Sequence, residues 1–171
     1  LPEIGAQNGR TGIRSKKAFL ELVDEITKDK SNNFSFAGIS SYEGIAAVAM
    51  KGSQAVHDFC SFIEDIILSI PSNHFSKINE LIITSGGSTH FDIVGERFSK
   101  LELSVPIKIL LRSGCYITHD HGPYLEALKT AQEDKNRQWD QALKPALEIW
   151  SYVQSIPETN LAFLTMGKRD A

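Results

Sequence analysis

Apolar residues recur at helical spacing in several stretches of the chain. In the first stretch, Phe19, Val23 and Ile26 fall on one face of a helix. Ser15 precedes this stretch, and serine is a favoured residue at the start of a helix. The same spacing predicts further helices over residues 53–70, 91–100 and 123–137.

Short apolar runs separate these helical stretches and predict buried strands. The runs cover residues 1–5, 34–39, 81–84 and 107–111. Uninterrupted apolar strands that alternate with amphipathic helices are typical of a parallel sheet covered by helices. The chain is therefore predicted to be an α/β protein.

The alternation breaks near Pro145. Residues 147–154 and 161–166 are predicted to be two strands, and a short polar turn at residues 157–160 joins them. Two strands linked in this way indicate an antiparallel hairpin. We therefore expect residues 1–144 to form the α/β domain and residues 145–171 to begin a second, β-rich domain.

Composition narrows the classes of function. The chain has 18 Lys and Arg against 21 Asp and Glu, a net charge of −3, and no basic cluster of the kind that binds nucleic acid. No apolar run approaches the roughly 20 residues that cross a bilayer. Cys60 and Cys115 lie far apart and outside any CxxC pair, which predicts free thiols and a cytoplasmic, soluble protein.

Two candidate binding residues follow predicted strands. Arg10 lies in a glycine-rich loop after the opening strand, and Tyr42 follows the strand that ends at Ile39. Because the carboxyl ends of parallel strands face the site in such folds, Arg10 is a candidate for binding an anion and the Tyr42 ring for packing on a planar heterocycle. The alternatives are a plain flexible loop and a tyrosine that covers the edge of the core.

A small-residue loop, Ser-Gly-Gly-Ser-Thr at residues 85–89, connects a predicted strand to a predicted helix. Backbone N–H groups of Gly86 and Gly87, the Ser88 hydroxyl and the following helix start together suit a phosphate group. The loop matches neither the P-loop nor the dinucleotide pattern. An ordinary turn is the alternative.

Residues 110–122 contain further candidates. Arg112 ends a predicted buried strand, where a cation is unfavourable unless it meets an anion or a ring nitrogen. His119 and His121 would point to one side if they lay on a strand, as a metal pair does; a polar loop is the alternative. Cys115 has no evident partner base, so we expect a buried structural thiol.

Four strings of residues occur together and in order: Gly-Arg-Thr-Gly at 9–12, Tyr-Glu-Gly at 42–44, Ser-Gly-Gly-Ser at 85–88, and Arg-Ser-Gly-Cys-Tyr at 112–116 followed by Thr-His-Asp at 118–120. They resemble pyridoxal-phosphate (PLP) enzymes of the D-serine deaminase and D-threonine aldolase family. Residues 166–171 resemble the start of that family's C-terminal β domain. The resemblance implies the second half of an alanine-racemase-like TIM barrel, followed by the beginning of a β-rich domain.

The resemblance also implies roles for individual residues. Arg112 would meet the pyridine nitrogen, Tyr42 would line the cofactor ring, and Arg10 would lie near its phenolic oxygen or its lysine. The cofactor phosphate would be held by the remaining candidates, which are Gly86, Gly87, Ser88, Gly114 and Cys115.

The implied reaction is deamination of a D-serine-type amino acid to a 2-oxo acid and ammonia, by a homodimer that uses PLP as an electron sink. D-Threonine-type aldol cleavage and amino acid racemisation are the alternatives. The family's cofactor-binding lysine would precede Leu1 and its zinc ligands would follow Ala171, so we expect a fragment that is inactive alone. Two readings from other classes remain: a metal-dependent hydrolase that uses His119 and His121, and a non-catalytic domain that associates through sheet edges.

Overall fold

A computed structural model describes residues 1–31, 33–44, 53–87, 89–133, 143–167 and 169–170. Within these residues the chain is a mixed α/β protein. The strands of its parallel sheet are β1 (Glu3–Ile4), β2 (Gly38–Ser41), β3 (Leu81–Ser85) and β4 (Ile107–Leu111). The helices with described bounds are α1 (Lys16–Lys28), α2 (Ser53–Leu68), α3 (Phe91–Ser99) and α4 (Pro123–Glu133).

The four strands lie in the order of the chain, β1-β2-β3-β4, and each neighbouring pair is parallel. Ile39, Ile83 and Ile109 stand side by side in one row across the sheet, and they pack with the helices. The other face carries a row formed by Ser40, Thr84 and Leu110. Leu110 is 40% exposed, so the helices cover one face and leave the other partly open.

Helix α1 begins where the sequence predicts. The Ser15 side chain accepts a hydrogen bond from Ala18 N at 3.4 Å, which satisfies one of the free N–H groups at the helix start. Phe19 and Val23 are fully buried on the inner face. The core continues through α2 and α3, where Ile63 and Phe98 are buried. Of the helices that the structure describes, none has the length and apolar character to cross a bilayer.

Strand β2 begins later than predicted. It runs over Gly38–Ser41 rather than residues 34–39, because pairing with β3 starts where Gly38 faces Ile82. A Cβ atom on Gly38 would lie 1.9 Å from Ile82 O, and Gly38 has φ of +151°. Only glycine permits this close approach of the two backbones.

The prediction that residues 107–111 form a buried strand is correct in position and wrong in burial. Strand β4 pairs with β3 alone among the described residues, and Leu110 and Leu111 are 40% and 45% exposed. Their apolar character therefore does not reflect cover by the described residues. Arg112, which follows the strand, is exposed as well.

The predicted antiparallel hairpin is present, as β5 (Val153–Glu158) and β6 (Leu161–Leu164). Its first strand starts later than residue 147 and continues through Pro157, so the turn is shorter than predicted. Every residue of both strands is exposed. Helix α4 is described as far as Glu133, and the end predicted for it near residue 137 lies outside the described residues. The division into two domains stays a prediction.

Candidate functional site

A cavity of about 390 Å³ lies where the loops after β1, β2 and β4 meet, at the carboxyl ends of the strands. Arg10, Tyr42 and Arg112 line it together with Glu3, Thr11 and Ser40. Three residues predicted from separate parts of the sequence are thus brought to one place. The volume falls within the range of about 300–1,000 Å³ that is usual for small-molecule sites.

A larger groove, of about 750 Å³, lies beside the outer edge of β4. Aliphatic side chains such as Leu101, Val105 and Ile107 form much of its lining, and Glu102 is the one charged residue among them. A binding site usually combines an apolar wall with convergent polar groups. The smaller cavity brings several charged and polar side chains together beside the Tyr42 ring, whereas Glu102 is the charged residue of the groove lining.

Arg112 is attached to the ends of β3 and β2. Its backbone N–H donates to Ser85 O and Gly86 O at 3.2 and 3.1 Å, and its guanidinium Nη2 donates to Ser41 O. A guanidinium carries five N–H donors. Within the described residues, the Arg112 guanidinium uses one of them, in the hydrogen bond to Ser41 O. The group is therefore fixed at the cavity wall and retains donors for a ligand.

The Tyr42 ring lies against two glycines. A Cβ atom on Gly87 would lie 2.7 Å from Tyr42 Cε2, and one on Gly44 would lie 2.6 Å from Tyr42 Cζ. The ring is 45% exposed and forms part of the cavity lining. Two glycines thus define the position of the ring, and its free surface is available to a ligand.

The N–H groups of Gly86 and Gly87 donate to a carboxylate of the chain itself. Gly86 N and Gly87 N lie 3.1 and 2.5 Å from Oε2 and Oε1 of Glu43, and Ser85 Oγ donates to Oε2 at 3.2 Å. Glu43 is 1% exposed. The loop therefore binds an anionic group, as its sequence suggests, and in this structure that group is Glu43. Ser88, predicted for the same loop, lies outside the described residues.

Glu43 belongs to the Tyr-Glu-Gly string, and the sequence alone predicted no role for it. A signal was present, because an acidic residue after β2 and two successive glycines after β3 follow neighbouring strands. The carbonyl side of the same glycine pair binds the loop after β4. Ser113 Oγ donates to Gly86 O at 2.8 Å and to Gly87 O at 3.1 Å. The Gly86–Gly87 turn after β3 is thus hydrogen-bonded to the loops after β2 and β4.

Gly114 and Cys115 belong to a short 3₁₀ turn, Gly114–Tyr116. They do not line the cavity. A Cβ atom on Gly114 would meet nothing within 4 Å, so this side of the turn is open. Cys115 is half-buried, and its predicted burial is wrong because the turn lies at the surface beside the exposed Tyr116.

Arg10 is exposed in a loop that closes on itself. Gly5 N donates to Ile13 O, and Ile13 N donates to Glu3 O, at 3.0 and 2.8 Å. The Arg14 side chain donates to two further carbonyl oxygens of the loop. These hydrogen bonds fix the loop that carries Arg10.

His119 and His121 lie in a loop after the 3₁₀ turn rather than on a strand. His119 is 7% exposed with φ of +47°, and its Nε2 has no hydrogen-bond partner among the described residues; His121 is exposed. In the part of the chain that the structure covers, no group of three or more His, Cys, Asp or Glu side chains is placed to hold a metal.

Burial raises the pKa of the Cys60 thiol to about 12, so this residue is not a nucleophile near neutral pH.

No protein-family model matches the chain, and a search of the curated proteins finds no significant match. The functional argument therefore depends on the cavity, on the loops that form it and on the sequence strings they contain.

Proposed function

We propose that this chain forms the cofactor-binding part of a PLP-dependent enzyme that acts on D-amino acids. The observation that carries the proposal is the cavity at the carboxyl ends of the strands, where Arg10, Tyr42 and Arg112 meet. These are the residues that the resemblance assigns to the ring of the cofactor. They come from three strings of the resemblance and from loops far apart in the chain.

The topology of the sheet supports the same family of folds. In a TIM barrel, parallel strands follow one another in chain order and the helices form an outer layer. In a doubly wound sheet, the strand order reverses and helices lie on both faces. The order β1-β2-β3-β4 with helices packed on one face agrees with part of a barrel. We therefore assign the strands to the second half of an alanine-racemase-like barrel.

The residues of the cavity fit the ring of PLP. The Tyr42 ring offers a flat aromatic surface to a planar pyridine. The Arg112 guanidinium has N–H donors and no acceptor, so it would donate a hydrogen bond to an unprotonated ring nitrogen. Arg10 adds positive charge to the lining, which suits the phenolic oxygen of the cofactor.

The turn after Arg112 is the better place for the phosphate. Among the described residues Gly114 has open space beside it, and its backbone N–H group is separated from the ring-binding arginine by one residue, Ser113. The amides of Gly86 and Gly87 already donate to Glu43, whose negative charge repels a second anion. In this proposal, Gly86 and Gly87 shape the wall beside Tyr42.

PLP, when bound, supplies an electron sink for the cleavage of bonds at the Cα atom of an amino acid. The contribution of this chain is to hold the ring nitrogen at Arg112 and to orient the ring on Tyr42. None of the described residues that line the cavity is a lysine, so the described lining would hold the cofactor without a covalent bond. The preference for D-serine-type deamination over aldol cleavage or racemisation comes from the Thr-His-Asp string at residues 118–120. Assembly as a homodimer stays a prediction.

Pyridoxine 5′-phosphate tests this proposal, because it lacks the aldehyde and cannot react with surface lysines. We expect saturable binding to one site by calorimetry, with weaker binding of pyridoxine and of inorganic phosphate. Arg112→Ala should weaken binding of pyridoxine 5′-phosphate by roughly ten- to a hundredfold, since a hydrogen bond to a charged group contributes about 1.5–3 kcal/mol.

Arg169→Ala is the matched control, because this arginine is exposed after β6 and does not line the cavity. It should leave the affinity unchanged. Absence of saturable binding by the unmodified chain would contradict the proposal. Equal affinities of the unmodified chain and Arg112→Ala would remove Arg112 from the site.

A further inference from the structure

We propose that Glu43 is a positioning residue of the cavity, which fixes the placement of Arg112 through the Gly86–Gly87 turn. The role in ligand binding rests on the proposed function. The role in fixing Arg112 depends on the hydrogen bonds of the chain alone.

Both oxygens of the Glu43 carboxylate accept hydrogen bonds from the turn. Oε1 accepts from Gly87 N, and Oε2 accepts from Gly86 N and Ser85 Oγ, at 2.5, 3.1 and 3.2 Å. Hydrogen bonds to an ionised acceptor are roughly twice as strong as those between neutral groups. Glu43 is also 1% exposed, so these bonds form away from bulk water, and breaking one costs the desolvation of a buried donor.

The Gly86–Gly87 turn also holds Arg112. Gly86 O accepts from Arg112 N and from Ser113 Oγ, at 3.1 and 2.8 Å. The guanidinium then returns to Ser41 O, two residues before Glu43. These bonds form a closed circuit through the loops after β2, β3 and β4. Loss of the carboxylate releases the turn, and Arg112 loses a fixed partner for its backbone.

The same carboxylate secures the neighbouring wall. Tyr42 precedes Glu43 in the chain, and its ring lies against Gly87. A shift of the Gly86–Gly87 turn therefore moves both the arginine and the aromatic surface. Glu43 itself is buried behind them and does not line the cavity, so it acts through these two residues.

Glu43→Gln tests the proposal with almost no change of shape. Glutamine has one acceptor oxygen in place of two, and its NH₂ group would face an N–H donor. We expect the Arg112 Nε–H signal in a ¹⁵N–¹H NMR spectrum to move, and the dissociation constant for pyridoxine 5′-phosphate to rise roughly tenfold. Glu102→Gln makes the same chemical change at an exposed position and should alter neither.

Ser85→Ala is the second matched variant, because it removes one donor to Oε2 and leaves both glycine amides bound. It should leave the Arg112 signal in place. A folded Glu43→Gln variant with an unmoved Arg112 signal would overturn the proposal, whether or not the chain binds pyridoxine 5′-phosphate. Absence of binding by the unmodified chain would instead reject the proposed function alone.

A measurement on the unmodified chain covers the case in which Glu43→Gln does not fold. The Gly86 and Gly87 amides should exchange with deuterium as slowly as those of β3, because a buried carboxylate protects them. Exchange within the dead time would show that the carboxylate does not hold the turn, and the proposal would be wrong.

Discussion

The chain up to Leu111 and the described part that follows it differ in how much they bury. In the first region α1, α2 and α3 pack on the sheet, and side chains such as Phe19, Ile63 and Phe98 are fully buried. After Leu111, the buried residues among those described are His119, Leu128 and Ala131. The hairpin has apolar side chains and no cover within the described residues. Stability therefore resides in the first region, and the loops of the cavity are attached mainly to it.

The largest expected effect comes from two phenylalanines that differ in burial. Phe98 is fully buried in α3, and Phe163 is 52% exposed in β6. Phe98→Ala should lower the free energy of unfolding by about 3–5 kcal/mol, because it removes contacts and leaves a cavity. Phe163→Ala should change it by no more than about 0.5 kcal/mol. Urea unfolding followed by circular dichroism measures both.

Similar losses in the two variants would contradict the comparison. A large effect of Phe163→Ala would mean that another surface covers the hairpin in solution. Repeating the Phe163→Ala measurement over a range of protein concentrations would identify a second copy as that cover, because unfolding of an associated chain depends on concentration.

Periodicity was sufficient to predict the covered region. Helical spacing located α1 and α2, and the apolar runs located β3 and β4. For α1, α2 and β3 the pattern reflects burial of these elements against one another. Exposure of β4 was not predictable, since Leu110 and Leu111 have the composition of a buried strand and nothing local reports which neighbours are present. The start of β2 depended on the contact between Gly38 and Ile82, which is also nonlocal.

The candidate site was predicted in part. Arg10 and Tyr42 were expected at the carboxyl ends of the strands, and the structure brings them together with Arg112 around one cavity; their role in binding stays a prediction. The partner of the Gly86–Gly87 amides was missed. A glycine-rich turn predicts that backbone N–H groups are available, and it does not distinguish a ligand phosphate from the carboxylate of Glu43.

A smaller effect is expected from ion pairs in the two regions. Arg97 Nε donates to Glu64 Oε1 at 2.8 Å, and Nη2 donates to Glu64 Oε2 and Ser61 Oγ. This partly buried pair joins α3 to α2, and the hydrogen bond to Glu64 raises the pKa of Arg97. Glu64→Ala should lower the free energy of unfolding by about 1–3 kcal/mol, since charge-assisted bonds are lost and the arginine is left without its partner.

Glu126 provides the matched control, because its pair with Lys129 on α4 has the same charges and both side chains are more than half exposed. Glu126→Ala should change the free energy of unfolding by about 0.5 kcal/mol or less. Thermal unfolding at low and high salt measures both variants. Equal changes in the free energy of unfolding would mean that water screens the Arg97–Glu64 pair as fully as it screens a surface pair.

The smallest effect distinguishes two glycines. A methyl group at Gly87 meets Tyr42 Cε2 at 2.7 Å and Glu43 Oε1 at 3.2 Å, whereas one at Gly167 meets Asp170 Oδ2 at 3.7 Å, an ordinary contact. Gly87→Ala should therefore lower the free energy of unfolding by about 1 kcal/mol and displace the Tyr42 ring, because a packed site must move to admit the added carbon. Gly167→Ala should lie within a few tenths of a kcal/mol of the unmodified chain. Chemical unfolding gives the free energies, and the NMR signals of the Tyr42 ring report its position. If Gly87→Ala leaves both unchanged, the ring is free to move away from the turn, and the cavity wall is not fixed by the packing that the two glycines permit.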